Sequence, residues 1–152
     1  MVKSLLMSIF LLGIASTTIT GNYRPNGLAA NGNQSTASPY TGQYKGEWVA
    51  RPIGLNWYKN GADENTGTWD ITIDSNGEIT GTETDEMAGK DGAIKGFIDE
   101  KGLIDVSVKY RNTSRIKGKL EKKGIRLIGN LQQYCKGDDD PCLKIEMTLK
   151  RK

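Results

Sequence analysis

The chain of 152 residues contains no histidine, two cysteines, four prolines and two phenylalanines. Without histidine there is no His-based general-base triad, no zinc site with imidazole ligands and no histidine pH switch. Charge of one sign is scarce too. The 21 Lys and Arg against 18 Asp and Glu leave +3, too small a surplus for bulk nucleic-acid binding. Long apolar runs are nearly absent. The one candidate, residues 5–12, is broken by Ser8 and falls well short of the roughly 20 residues of a transmembrane helix, so no membrane span is expected. No carboxylate pair is placed by its spacing as acid and base, and no Ser or Cys nucleophile has a visible partner, so catalysis is not expected either. Length alone suggests one folded domain.

What is present begins with an export layout. Lys3 gives a short basic start, residues 5–12 an apolar run, and Gly13-Ile14-Ala15 small residues suited to a cleavage site. Residues 1–20 therefore read as a secretory signal peptide, which places the protein in a secreted or periplasmic compartment. No Cys directly follows the run, so a lipid anchor is not expected. Residues 21–42 are rich in Asn, Gly, Ser, Thr and Pro without periodicity and read as a flexible leader. Cys135 and Cys142 flank the turn-forming stretch Lys136-Gly137-Asp138-Asp139-Asp140-Pro141. In an oxidising compartment that spacing implies a disulfide stapling one loop; free thiols or a metal pair are the alternative. The three aspartates could offer oxygens to Ca²⁺, but they match no EF-hand spacing, and neither metal nor cofactor is expected.

From Tyr44 onward apolar and polar residues alternate. The inward candidates are Tyr44, Gly46, Trp48; Trp69, Ile71, Ile73; Ile79, Gly81; Ile94, Gly96, Ile98; Ile104, Val106, Val108, Tyr110; Ile116, Gly118, Leu120; Ile125, Leu127, Gly129, Leu131; and Leu143, Ile145, Met147, Leu149. Strict period two at this length predicts strands and fits no helix. Ser75-Asn76-Gly77, Glu100-Lys101-Gly102, Asn112-Thr113 and Lys122-Lys123-Gly124 separate them as hairpin turns. Eight strands are predicted near 43–50, 66–74, 78–85, 92–99, 102–111, 114–121, 124–133 and 142–150, with a short extra one conceivable at 54–59. Eight sequential antiparallel strands with one apolar and one polar face can close into an all-β up-and-down barrel over 43–152, which removes exposed edges. A two-sheet sandwich is the alternative. The polar outer face lacks the apolar belt of an outer-membrane barrel.

Several strands carry an apolar residue, any residue, then Gly: Tyr44-Lys45-Gly46, Ile79-Thr80-Gly81, Ile94-Lys95-Gly96, Ile116-Lys117-Gly118 and Leu127-Ile128-Gly129. An inward mid-strand Gly lets a small barrel coil tightly, or leaves interior room for a ligand. Gly46-Glu47-Trp48 followed by a long connection over 51–65 resembles the calycin barrels, the lipocalins and their relatives, in which Gly-x-Trp opens the barrel and a large first loop lids its mouth. Gly67-Thr68-Trp69 with Gly77-Glu78-Ile79-Thr80-Gly81-Thr82-Glu83 is similar to the opening hairpin of avidins; biotin contacts are not implied, because no Trp follows Trp69. The resemblance implies a barrel holding a small apolar or amphipathic ligand, and the chain is expected to act as a monomer. Trp48, Trp69 and Tyr110 from the strands, and Trp57 and Tyr58 from the first loop, are the candidate ligand contacts, with plain core or lid packing as the simpler alternative.

Charge is also divided along the chain. Residues 63–105 hold 12 acidic residues against three Lys, and residues 109–126 hold eight basic residues against Glu121 alone. On neighbouring strands this predicts an acidic and a basic wall. Arg111, Arg115, Lys117, Lys119 and Arg126 are the candidates for contact with an anionic glycan, lipid headgroup or acidic protein; solvated surface charge is the plain alternative. The wall lacks interleaved aromatics, which argues against nucleic acid. A flexible leader before a small exported barrel also resembles the bacterial metalloprotease inhibitors, whose N-terminal segment enters the enzyme's cleft. The disulfide departs from that pattern, since it precedes the last strand here. A protein-binding module is therefore the second expectation.

Overall fold

The structure is a computed structural model that describes residues 37–53, 63–135 and 140–152. Its elements are β1 (Gly42–Pro52), β2 (Asn65–Ile73), β3 (Glu78–Asp85), β4 (Lys90–Ile98), β5 (Leu103–Lys109), β6 (Thr113–Lys123), β7 (Arg126–Tyr134) and β8 (Pro141–Arg151). Each strand pairs antiparallel with the next, and β8 returns to pair with β1, closing an eight-stranded up-and-down barrel. Closure decides against the sandwich. The extra strand conceived at 54–59 lies outside the described residues.

Alternation becomes layering directly. Along β2, Asn65, Gly67, Trp69, Ile71 and Ile73 are buried, and the residues between them face outward. On β8, Leu143, Ile145, Met147 and Leu149 are buried while Lys144, Glu146, Thr148 and Lys150 are exposed. Each fully buried Ile, Leu or Val contributes roughly 1.5–3 kcal/mol. Ile125 departs from the predicted phase. It is 56% exposed, because it follows Gly124, whose φ of +63° turns the chain between β6 and β7. The inward glycines do not leave the lower barrel hollow: a Cβ on Gly81 would stand 2.9 Å from Ile71 Cγ2, and one on Gly96 would stand 2.6 Å from Val106 Cγ1. Branched neighbours already occupy that space.

Two hairpins at one end of the barrel share a design. In each, an aspartate carboxylate caps the turn: Asp74 Oδ1 accepts from the Asn76 and Glu78 N–H groups, and Asp99 Oδ1 accepts from Lys101 and Leu103. Asp-x-x-Gly is thus the operative turn sequence, the Gly77 and Gly102 φ values being +86° and +83°. Residues 38–41, assigned by composition to the leader, close this end. Ser38 N–H donates to Ser75 O, Thr41 Oγ1 donates to Asp74 O, Lys122 Nζ donates to Pro39 O, and Tyr40 is buried.

Candidate functional site

The opposite end is the mouth. There β1 ends, β2 begins, turns 86–89 and 110–112 connect β3–β4 and β5–β6, and the Cys135–Cys142 disulfide ties the end of β7 to the start of β8. A cavity of about 250 Å³ opens here. Trp48, Val108 and Leu143 supply apolar wall, Met87 and Ala88 come from turn 86–89, and Asn65, Glu83, Asp85, Tyr110, Ser114 and Gln133 supply polar groups.

Strand register explains how the site is assembled. Gly46 pairs with Trp69, Trp69 with Glu83, and Glu83 with Gly92, a row across β1 to β4. One step nearer the mouth, Trp48 pairs with Gly67 and Gly67 with Asp85. The two Gly-x-Trp segments are therefore cross-strand neighbours, each Gly opposite the other's Trp. Gly67 is needed for close approach: a Cβ there would lie 2.5 Å from Trp48 Cζ2. Gly92 does the same for Tyr110, since its Cβ would lie 2.8 Å from Tyr110 Cε1 and Cζ. The phenol ring lies over that bare backbone and reaches Glu83.

Glu83 is 5% exposed, its carboxylate enclosed by the barrel. The Trp69 Nε1–H donates to its Oε2 at 2.5 Å, and the Tyr110 hydroxyl donates to its Oε1 at 2.5 Å. Burying a carboxylate disfavours its charged form. Burial accordingly raises the Glu83 pKa, the bonds from Tyr110 and Trp69 pull it down, and Asp85 pushes it up again. Burial, with the adjacent Glu83 carboxylate, drives the Tyr110 hydroxyl well above the ordinary phenol range. Asn65 braces the rim, donating to Asp85 Oδ1 and accepting from the Met87 N–H.

Trp48 and Tyr110 thus line the cavity, whereas Trp69 sits one row deeper than Trp48, directly opposite Glu83, and donates to it. Trp57 and Tyr58 lie outside the described residues, as do Asp138 and Asp139. Cys135 and Cys142 form the expected disulfide. The residue that sequence reasoning missed is Glu83, which composition assigns to an acidic outer wall. Its phase with Ile79 and Gly81 already marks it as inward; an acidic residue on the apolar phase was the available sign. The interior is thereby more polar than the alternation suggests.

On the outer face the charged residues have specific neighbours. Outward positions of β2 and β3 are mostly threonine (Thr66, Thr68, Thr72, Thr80, Thr82, Thr84), while Asp74 and Asp99 cap turns. Asp70, outward on β2, pairs with Lys152 at 2.6 Å. On the basic side Arg115 forms a two-pronged ion pair with Asp105. Lys117 Nζ lies 5.1 Å from the Tyr134 ring centre, and Lys119 meets Glu121 at 3.8 Å. Arg111 stands in the turn at the mouth, and Arg126 at the far end beside Lys123. Arg115, Lys117 and Lys119 are thus successive outward positions of β6, each beside a neighbour that engages it, while Arg111 and Arg126 stand at opposite ends of the barrel. Among the described residues no group of three or more His, Cys, Asp or Glu is placed to share a metal ion, and no helix is long and apolar enough to cross a membrane.

No protein-family model, curated protein or solved structure matches this chain. The functional reading rests on the site itself.

Proposed function

We infer that this protein is an exported, non-catalytic barrel that binds a small amphipathic molecule at its mouth. The observation that carries the reading is the cavity itself. It combines the apolar surface of Trp48, Val108 and Leu143 with a buried carboxylate held by two side-chain donors, the mixture of apolar wall and few fixed polar groups that marks ligand sites. At about 30 Å³ per water, its volume equals roughly eight waters, which fits a ligand on the order of ten non-hydrogen atoms. The disulfide suits an oxidising compartment and supports export.

Native mass spectrometry of the exported, unreduced protein tests this. A releasable adduct on the order of 100–200 Da, sized to the cavity, is the expected result. A protein that emerges free of adduct and takes up no member of a library of small amphipathic molecules overturns the reading.

The protein-binding alternative is favoured by one observation. The segment leading into β1 docks at the end opposite the cavity, with Tyr40 buried, so a leader could engage a partner without touching the mouth. Deleting residues 21–36, which spares Tyr40, separates the two. Loss of partner binding supports the module, and unchanged small-molecule binding supports the cavity.

A further inference from the structure

The chemical class of the ligand follows from which polar groups on the cavity lining are still unsatisfied. Glu83 has about four lone-pair positions when ionised, and two are occupied by Trp69 and Tyr110. Two acceptor positions remain on a side chain that lines the cavity. Asp85 lines the same cavity, and among the described lining residues there is no Lys or Arg. The protein as a whole carries +3, yet this recess is acidic, and low-dielectric walls focus such a field. Trp48 is 5% exposed and also lines the cavity. The lining thus offers an acceptor pair with negative charge, with the Trp48 and Tyr110 rings for apolar and cation–π contact.

We propose that the cavity takes a small amphipathic amine, whose ammonium donates to Glu83 and whose apolar body lies against Trp48 and Tyr110. This rests on the binding-protein reading above and narrows it. An anionic ligand of the same size is rejected, because its charge would face Glu83 and Asp85 without a compensating cation on the described lining. A neutral alcohol fits the apolar wall but leaves the charge of Glu83 unanswered. Charge-assisted hydrogen bonds are about twice as strong as neutral ones, so the amine is selected over the alcohol.

Three probes of matched shape test the proposal by titration calorimetry on the exported, disulfide-bonded protein: 2-(4-hydroxyphenyl)ethylamine, 2-(4-hydroxyphenyl)ethanol and 4-hydroxyphenylacetate. The amine is expected to bind at least tenfold more tightly than the alcohol, and the carboxylate not measurably. Glu83→Gln is expected to collapse the amine-to-alcohol ratio towards one while alcohol binding survives. Equal binding of amine and alcohol by the wild-type protein overturns the amine assignment and leaves the binding-protein reading standing. So does a ratio that survives Glu83→Gln. Failure of all three probes overturns the amine assignment, and the binding-protein reading falls with it only if mass spectrometry also finds no adduct. The wild-type comparison needs no variant, so it decides the matter even where Glu83→Gln does not fold.

Discussion

Glu83→Gln also separates the charge of this side chain from its shape, through stability. In the folded barrel, burial lifts the Glu83 carboxyl above its ordinary 4.5, with the bonds from Tyr110 and Trp69 acting against the rise and Asp85 adding to it. The groups facing it are Trp69 from β2, Tyr110 beyond β5 and Asp85 on its own strand, while its β4 partner is the uncharged Gly92. A carboxyl whose folded pKa exceeds its unfolded one keeps its proton longer in the native state. The native protein then binds more protons than the unfolded chain across that interval. The stability it contributes is fully present below 4.5 and is lost as pH rises through the folded value. One proton limits the slope to about 1.4 kcal/mol per pH unit. Glutamine retains the local bonding: its carbonyl accepts one donor, and its amide can donate to the Tyr110 oxygen. Urea unfolding of both proteins, followed by Trp fluorescence at a series of pH values on both sides of 4.5, cancels the other titrating groups in the difference. The wild-type stability minus that of the variant should fall with rising pH above 4.5 and then level off. A difference that stays flat throughout, or that grows with pH, would refute the account of Glu83 as a carboxyl held by burial.

Two further outcomes follow from packing and covalent structure. Gly92→Ala places a methyl 2.8 Å from the Tyr110 ring and 2.8 Å from Val108 Cγ1; overpacking and the displaced Tyr110–Glu83 bond should together cost on the order of 3 kcal/mol in urea unfolding, and wild-type stability in this variant would show that the ring does not depend on the bare backbone. Replacing both Cys135 and Cys142 by Ser opens a loop whose ends are seven residues apart, with an expected loss of about 2.5 kcal/mol and a fall in Tm on the order of 10 °C, whereas an unchanged Tm would mean that the β7–β8 hairpin needs no staple.

The candidate site was only partly legible before the fold was known. Trp48 and Tyr110 stood out as aromatics on inward phases, and both line the cavity. Glu83 was concealed by its company, because among 12 acidic residues over 63–105 its inward phase counted for less than its charge. Asn65 and Asp85 gain their roles only from the turn that Met87 and Ala88 bring beside them. The surroundings of the basic residues were hidden for the complementary reason. Proximity in sequence along β6 does not reveal that Asp105 and Tyr134 stand beside Arg115 and Lys117 on adjacent strands.

Strand identity, inward phase and the hairpin turns were set by the sequence alone, because side chains alternate with period two along any extended backbone and turn chemistry acts within four or five residues. Ile125 shows the limit of that rule, since a tight turn breaks the phase. The tertiary structure decided whatever depends on partners far along the chain. Closure of β8 on β1 chose a barrel over a sandwich. Register set each Gly-x-Trp against the other. Tyr110, 27 residues beyond Glu83, completed the bonding of its carboxylate. Such contacts arise from how separate strands align and curl, and no local pattern of residues encodes them.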